Sequence, residues 1–354
     1  MEFLSGADPK VVFAFWLGVA VVIVAVSIMV VIFAMRRSML RKERNHRRAA
    51  AFWRGVLVPA ATRATGRTPA LPKRDLTGFI EAWNQVHLEL QGRDEPALQR
   101  IARDVELDKH LYRALASGGF HGRLMSLTAL GYLNDRAHFD EIARYLDDRS
   151  SIVSLSAARA LMQLDPQRAV ALFVPQIVAR PDWSQSGVAQ ILQEAGPATV
   201  SEKLGEVVLQ ANADVAPRLI RFLAGVSPEQ ADVVIRKILQ SSEDEHLIST
   251  CLQVMSSQAD LDLVRPLLSR ERWHVRMHAA SAIGRLGGEG DEHLLVPLLA
   301  DAQWWVRYRA AQALVRLPSM GDGDVARLRA TQTDRFACDI LDQVVAEEKI
   351  GAQK

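Results

Sequence analysis

The chain has 354 residues, of which 49% are apolar, and it carries a formal net charge of +2. A chain of this length can bury a large continuous core, so we expect its main part to fold without a bound ligand. The two cysteines, Cys251 and Cys338, lie far apart in apolar surroundings. This excludes a disulfide framework and a zinc knuckle, and it indicates two buried thiols in a reducing compartment.

The first predicted element is an apolar helix over 11–35. This segment has no charged residue and only Ser27 among the strongly polar types. At ~1.5 Å per helical residue it is longer than the ~30 Å hydrocarbon core of a bilayer. A cleaved signal peptide is the main alternative, but the apolar run is too long, no basic region precedes it and no small-residue cleavage site follows it. The sequence therefore predicts one transmembrane helix, preceded by a short extracytoplasmic terminus over 1–10.

A basic segment follows this helix directly. Residues 36–48 contain seven basic residues and one acidic residue, whereas residues 1–10 carry a net charge of −1. Because Lys and Arg stay on the cytoplasmic side, the amino terminus is expected outside and the rest of the chain in the cytoplasm. The segment can also bind anionic lipid headgroups, although a role in topology alone explains it equally well. The basic residues are Arg36, Arg37, Arg41, Lys42, Arg44, Arg47 and Arg48.

The juxtamembrane segment and linker are predicted over 36–74. Within them, 49–59 is expected to be helical, either continuing from the membrane or lying along its surface, and 60–74 is a linker rich in Ala, Thr, Pro and Arg. An amphipathic pattern resumes at Leu76 and runs to Leu90, and further helices are predicted at 95–107 and 110–116. We interpret 75–120 as a divergent helical cap, because the end unit of a repeat array lacks one neighbour.

Regular repeats are predicted over 121–348, followed by a tail at 349–354. Residues 273–286 align on residues 304–317 at a spacing of 31, and the same pattern of small and apolar residues recurs in 153–164. Apolar stripes of helical period mark the first helix of each pair, and Pro and Gly residues mark the turns. These first helices are predicted at 139–148, 169–180, 200–210, 231–240, 261–268 and 291–300. Such self-similarity is typical of a helical solenoid, and we expect no sheet.

The charge of the repeats differs from that of the whole chain. Without the terminus and the basic segment, residues 49–354 carry −3. This argues against nucleic-acid binding as their main role, because a phosphate backbone requires a broad basic face. A long helical array can still concentrate Arg on one face.

The repeat unit resembles the short HEAT repeat, which also occurs in phycobilin-lyase-like proteins. The matching residues are Asp301, Trp304, Val306, Arg307, Ala310, Ala311, Ala313, Leu314 and Leu317. The match is strong over 261–317, recognisable over 121–180 and weak over 183–260, where Gly187, Gly196 and Gly225 are expected to interrupt the helices. The resemblance implies a right-handed superhelix of antiparallel helix pairs. We therefore predict an all-α fold, in which the transmembrane helix is followed by an α-solenoid of roughly seven such pairs. Its second helices would line a concave surface.

A second resemblance concerns the amino-terminal part. The order of three features is similar to that in bacterial membrane-anchored HEAT proteins. These features are the Phe52-Trp53 pair, the Pro-rich linker and the helix that contains Phe79-Ile80. This implies a bacterial inner membrane as the location. It also implies one concrete role, as an accessory protein of a membrane glycosyltransferase in polysaccharide export.

Motifs for chemistry are nearly absent. His274 and His278 have the i, i+4 spacing that can supply two metal ligands, but no third ligand is evident, so we expect a surface pair. The chain has no His-Glu dipeptide of the kind that HEAT-like oxygenases repeat, and Gly287–Gly290 is predicted to be a turn and not a phosphate-binding loop. We predict no catalytic residue, no cofactor, no metal site and no small-molecule substrate.

A cluster of aromatic and basic residues at the start of two second helices is the best candidate for a partner surface. Trp, Tyr and Arg dominate the hot spots of protein interfaces. In HEAT-like repeats the Trp and Val at these positions pack under the turn, and the repeated Arg can pair with acids such as Asp301. We therefore expect structural roles for Trp273, Trp304 and Val306, and weigh the same role for the two Arg. The residues predicted for partner contact are Trp305, Tyr308, Arg309, Arg276 and Arg307, of which the first three depart from the repeat consensus.

The sequence thus predicts a non-enzymatic scaffold or adaptor in the membrane. Its partner is expected to be a membrane or peripheral membrane protein. One alternative is a HEAT-like lyase or modifying enzyme that acts on a bound cofactor. Another is a nucleic-acid-binding HEAT protein. Neither alternative has a supporting motif in the sequence.

Overall fold

Helices are the only regular secondary structure in the residues that the structure, a computed structural model, describes: 9–62, 68–90 and 95–351. The all-α prediction is therefore confirmed for these residues. The chain divides into two compact units, 1–138 and 139–354, which are described separately. The predicted domain boundaries, including the one between cap and repeats at 120, stay predictions.

The first unit begins with one long helix, α1 (Pro9–Thr62). It contains the predicted membrane segment, the basic segment and the predicted helix over 49–59 without interruption. The large apolar side chains described between Phe13 and Leu40 are exposed, apart from the partly exposed Val19, so none of them is buried against another described part of the chain. The predicted linker starts slightly later than expected, because α1 continues to Thr62; residues 63–67 of that linker lie outside the described residues.

The carboxyl-terminal part of α1 packs on α2 (Leu76–Leu90). Ala49, Trp53, Leu57 and Ala61, spaced by four residues, form the buried face of α1. The helices approach closely at Gly78, where a Cβ atom would lie 2.7 Å from the Ala49 Cβ atom. The predicted helix over 49–59 therefore continues α1 and packs against protein.

Three further helices complete the first unit: α3 (Glu95–Asp104), α4 (Leu107–Ser117) and α5 (Phe120–Leu133). The predicted helices at 95–107 and 110–116 correspond to α3 and α4. Their junction is shifted, because Glu106 adopts the left-handed conformation, with φ of 49°. The Trp53 ring contacts the Phe79 ring edge-on, with centroids 4.9 Å apart. Trp83 is also fully buried, so aromatic rings form the centre of this unit.

Within residues 139–351 the second unit contains seven successive helix pairs, which agrees with the number predicted from the sequence. We call the earlier and later members of each pair the first and second helix. The pairs are α6 (Phe139–Ala143) with α7 (Ser151–Leu164), α8 (Pro166–Ala179) with α9 (Gln185–Ala195), α10 (Pro197–Gln210) with α11 (Ala216–Val226), α12 (Pro228–Ser241) with α13 (Glu245–Val254), α14 (Leu261–Val264) with α15 (Trp273–Leu286), α16 (Glu292–Leu295) with α17 (Trp304–Arg316), and α18 (Asp322–Thr331) with α19 (Arg335–Gly351). Helices α6, α14 and α16 each continue as a short 3₁₀ helix.

Local sequence explains where these helices begin. Pro166, Pro197 and Pro228 occupy the first turns of α8, α10 and α12, where a missing backbone N–H costs nothing. The Asp165 carboxylate accepts a hydrogen bond from the Arg168 backbone N–H at 3.2 Å and so caps α8.

The predicted interruptions by glycine are correct only at Gly196, which separates α9 from α10 with φ of 80°. Gly187 and Gly225 lie within α9 and α11, so the expectation that they break helices was wrong. A single glycine weakens a helix by about 1 kcal/mol, which tertiary packing can offset.

Small residues let the second helices pack closely. Ala279 and Ala280 of α15 and Ala310 and Ala311 of α17 are fully buried. Gly284 lies against α17, where a Cβ atom would be 2.6 Å from the Ala313 Cα atom. The Ala-Ala pairs and Gly284 therefore allow α15 and α17 to approach closely.

Candidate partner-binding surface on the second helices

An exposed aromatic stack occupies the first two turns of α17. The Trp304 and Tyr308 rings are stacked, with centroids 5.0 Å apart, and the Trp305 ring meets Trp304 edge-on at 4.7 Å. Trp305 is 50% exposed and Trp304 41%. We call Trp304, Trp305 and Tyr308 the aromatic stack. It brings together two of the residues predicted for partner contact, Trp305 and Tyr308.

Hydrogen bonds fix the orientation of the stack. The Tyr308 hydroxyl donates to the Glu347 carboxylate of α19 at 2.7 Å and accepts from the Gln312 amide at 2.8 Å. The hydrogen bond to Glu347 and burial raise the pKa of Tyr308. Arg309 donates to the Gln312 side-chain oxygen at 2.8 Å. The third predicted contact residue, Arg309, thus belongs to the same network.

Trp273 and Trp304 are exposed, so the prediction that they pack beneath the turns was wrong. Trp273 is 38% exposed, whereas Val275 and Val306 are 1% and 0% exposed. Each Trp precedes its Val by two positions, which corresponds to about 200° around the helix axis. The indole therefore points away from the face that the Val buries.

Arg276 and Arg307 stabilise the turns that precede their helices. Each donates from Nη1 to the backbone carbonyls six and five residues earlier, at 2.6–3.3 Å. Arg276 also pairs with the Asp301 carboxylate through two bonds of 2.8 and 3.0 Å, as expected, whereas Arg307 lies over the Phe336 ring. The structural role weighed for both Arg is confirmed, and their contact with a partner stays a prediction.

His274 and His278 are half-buried neighbours on α15. His278 Nε2 lies 3.0 Å from the Gln253 side-chain nitrogen of α13, and His274 Nε2 lies 3.8 Å from the Glu245 carboxylate. Within the described ranges, no three His, Cys, Asp or Glu side chains are grouped so that they could hold a metal ion. The two imidazoles form a polar edge of α15, on the helix face that also carries Arg285.

Two basic residues of this face, Arg221 on α11 and Arg285 on α15, were not predicted from the sequence. Both are exposed. The signal that could have identified them is the scarcity of acidic residues in α11, α13, α15 and α17, of which Glu245 is the only one. The net charge of residues 49–354 as a whole does not show this local imbalance.

The predicted lipid-binding residues lie in a separate place, on α1 of the first unit. Arg36, Arg37, Arg41, Lys42, Arg44, Arg47 and Arg48 are exposed. Arg47 pairs with Glu43 at 2.7 Å. A groove of about 740 Å³ lies beside this segment, and Lys42, His46, Arg74 and His121 are among its lining residues.

Comparisons with known proteins support the repeat assignment. Residues 234–315 match the family model described as HEAT repeats. This similarity supports HEAT repeats over residues 234–315 and an α-solenoid. The match begins inside the range where the sequence resemblance was weak, and it covers less than a quarter of the chain. One similar solved structure is an engineered protein, 16% identical, with 85% of this chain and 95% of that chain aligned and a TM-score of 0.33. No curated protein matches the chain.

Proposed function

We propose that this protein is a membrane-anchored adaptor that binds a protein partner through the aromatic stack of α17. HEAT repeats suggest a scaffold for protein interaction. The observation that carries the proposal is the exposure of two Trp rings, Trp304 and Trp305, which contact the partly exposed Tyr308 ring in a repeat whose Val306 and Ala310 are fully buried. Folding alone gives no reason to expose this much aromatic surface at one place.

The geometry of the stack favours binding. Rings that contact one another, together with a hydroxyl held by Glu347 and Gln312, lose little conformational freedom when a partner binds. A preorganised surface binds more tightly than a mobile one for the same contact area. Large aromatic side chains also dominate the energetics of protein interfaces.

The anchor is the proposed role of α1. By length and composition this helix can cross a membrane, and its apolar run is exposed on all sides. The seven exposed basic residues after the run favour an orientation with the amino terminus outside and the repeats in the cytoplasm. In a bacterium the membrane would be the inner membrane. The more specific role, accessory protein of a membrane glycosyltransferase in polysaccharide export, rests on the sequence resemblance alone.

The basic segment is proposed to bind anionic lipid headgroups as well as to set the topology. Its side chains surround α1 just beyond the apolar run, at the level where headgroups lie. The groove beside Lys42 and Arg74 is large enough to admit a headgroup.

Crosslinking in intact membranes followed by affinity capture tests the adaptor role. The variant Trp305→Ala/Arg309→Ala should lose one dominant partner, because removing a hot-spot residue costs ~2 kcal/mol or more, about 30-fold in Kd. The matched control is Phe120→Ala/Arg144→Ala, which removes an exposed aromatic ring and an exposed Arg elsewhere.

The control variant should capture the same partner as the unaltered protein. An unchanged capture profile for Trp305→Ala/Arg309→Ala, with unchanged helicity, would show that the stack does not bind the partner. Failure of the unaltered protein to retain any specific partner would refute the adaptor role itself.

A further inference from the structure

Charge is segregated between the first and second helices of the second unit. Helices α11, α13, α15 and α17 contain seven Arg and three His but only one acidic residue, Glu245. The acidic residues of this region lie in the first helices and the turns. The Arg residues are Arg218, Arg221, Arg276, Arg285, Arg307, Arg309 and Arg316. These four second helices therefore form a basic band inside an otherwise acidic unit.

Five of these guanidinium groups have no carboxylate partner within the described residues, and two of the five, Arg218 and Arg307, donate only to backbone carbonyls. Arg221 bonds to the Thr250 hydroxyl at 3.4 Å, Arg285 to the Leu252 carbonyl at 2.9 Å, and Arg309 to the Gln312 side chain. By contrast, ion pairs neutralise Arg159, Arg236, Arg265, Arg276, Arg316 and Arg329. Arg221, Arg285 and Arg309 differ from Arg218 and Arg307 in that they also lie near His278, and we call these three the basic cluster.

The basic cluster surrounds His278. The pKa of His278 is lowered to about 4, first by burial and then by the positive charges of Arg309, His274, Arg285 and Arg221 in that order. The imidazole is consequently neutral at physiological pH. The field at this position is positive, and it comes from guanidinium groups that remain charged at any pH the protein meets.

Acidic groups border the basic cluster but are engaged elsewhere. Glu245 lies beside His274, Glu347 accepts the hydroxyl of Tyr308, and Glu348 pairs with Arg316. Towards α17 the cluster adjoins the aromatic stack, because Trp305 and Arg309 are four residues apart on one helix face. Cationic and aromatic groups thus form one continuous surface.

We propose that the basic cluster binds a short acidic segment of the protein partner, with its carboxylates on Arg221, Arg285 and Arg309 and an apolar side chain on Trp305. Planar guanidinium groups bind carboxylates through paired, charge-assisted hydrogen bonds. This inference rests on the proposed adaptor function and names the chemistry of its partner.

A nucleic acid fits the surface less well than an acidic peptide. Residues 139–354 contain 23 Lys and Arg against 29 Asp and Glu, a net charge of −6. A polyanionic strand that extended beyond the basic cluster would meet the acidic turns and first helices. A segment of a few acidic residues fits within the cluster and avoids this repulsion.

The test is binding of labelled probes to the full chain in detergent. The probe is a fluorescein-labelled peptide that contains six Glu and one central Leu. The comparison probes are the same peptide with Gln in place of Glu and a single-stranded oligonucleotide of equal charge. The Glu peptide should bind, and the substitution Arg221→Gln/Arg285→Gln/Arg309→Gln should weaken binding by at least about tenfold.

Two further variants control for folding and for net charge. Arg221→Gln/Arg309→Gln retains Arg285, whose bond to α13 supports the fold, and should still weaken peptide binding. Arg144→Gln/Arg327→Gln/Arg329→Gln removes three Arg from exposed ion pairs with the same loss of charge, and should leave peptide binding within about twofold.

Three results would overturn the proposal: equal binding of the Glu and Gln peptides, equal weakening by the two triple variants, or tighter binding of the oligonucleotide than of the Glu peptide. Any of these could occur while crosslinking still captures a partner through Trp305. The failure of this inference is therefore distinguishable from failure of the adaptor function.

Discussion

His87 is a buried titratable group in the aromatic centre of the first unit. Its ring stacks on Tyr132 at 5.0 Å and lies 4.4 Å from Trp83, and burial lowers its pKa to about 4. In the unfolded chain a histidine takes up a proton below about pH 6.5. Folding stability that depends on neutral His87 is therefore present above pH 6.5 and is lost as the pH falls towards 4, by up to about 3 kcal/mol.

The substitution His87→Phe removes this proton uptake while keeping a ring between Trp83 and Tyr132. We expect the variant to lose less thermal stability between pH 7 and pH 4.5 than the unaltered protein. Melting temperatures from circular dichroism at both pH values provide the measurement. His121→Phe, at an exposed position, is the control. An equal loss in His87→Phe and the unaltered protein would contradict the assignment.

The two cysteines should differ in reactivity. Cys251 is fully buried, and burial raises the pKa of its thiol to about 12, whereas Cys338 is partly exposed. Because the thiolate is the reactive form, iodoacetamide should modify Cys338 in the native protein and Cys251 only after unfolding. Mass spectrometry of the alkylated protein measures both. Modification of both at the same rate would exclude the observed burial of Cys251.

At the residue scale, the sequence predicted which residues have structural roles better than it predicted the direction in which side chains point. The repeat pattern correctly identified Val306 as a structural residue and Arg276 as a partner of Asp301. It misplaced Trp273 and Trp304, because bulk and apolarity favour burial while their helix positions turn them outward. The thiol of Cys338 is likewise less buried than its apolar neighbours indicated.

At the scale of elements, two glycines offer a matched pair. A Cβ atom on Gly284 would meet the Ala313 backbone of α17, whereas a Cβ atom on Gly225 would meet nothing within 4 Å. Gly284→Ala should therefore destabilise the protein by about 1–3 kcal/mol through overpacking. Gly225→Ala should stabilise it by about 0.5–1 kcal/mol through helix propensity.

Urea denaturation of the two glycine variants measures both changes. Opposite signs are expected although the substitution is the same. If both variants were stabilised, α15 and α17 would not pack as closely at Gly284 as the structure places them.

Sequence located most helices to within a few residues, because apolar period and Pro or Gly turns act locally. It did not foresee that α6, α14 and α16 end as 3₁₀ helices. Nor did it identify the basic band, since only the stacking of α11, α13, α15 and α17 brings Arg221, Arg285 and Arg309 together. The period of 31 residues predicts that these helices stack. No single helix, however, shows the positive charge that the stacking concentrates.

At the scale of the whole molecule, α1 combines two functions that can be separated by deletion. Removal of residues 1–40 takes away the exposed apolar run but leaves Trp53 and Leu57 on α2. Removal of residues 1–62 also uncovers Phe79 and Trp83, each 0% exposed in the intact protein. Exposing aromatic side chains of this size costs several kcal/mol and favours aggregation.

We therefore expect the shorter deletion to give a soluble, folded protein and the longer one to aggregate. Size-exclusion chromatography and binding of a hydrophobic dye distinguish the two. Similar behaviour of both proteins would show that residues 49–62 are dispensable for the first unit.

The uninterrupted course of α1 has a geometric consequence once the helix is placed in a bilayer as proposed. Residues 36–45 extend it by about 15 Å between the apolar run and the contact of His46 with Glu81 of α2. The helix then acts as a rigid spacer that sets both the height and the rotational setting of the first unit above the lipid. Inserting one Ala there would raise the unit by about 1.5 Å and turn it by about 100°. For a docking partner that is fixed in the same bilayer, this rotation would disturb binding far more strongly than the change in height.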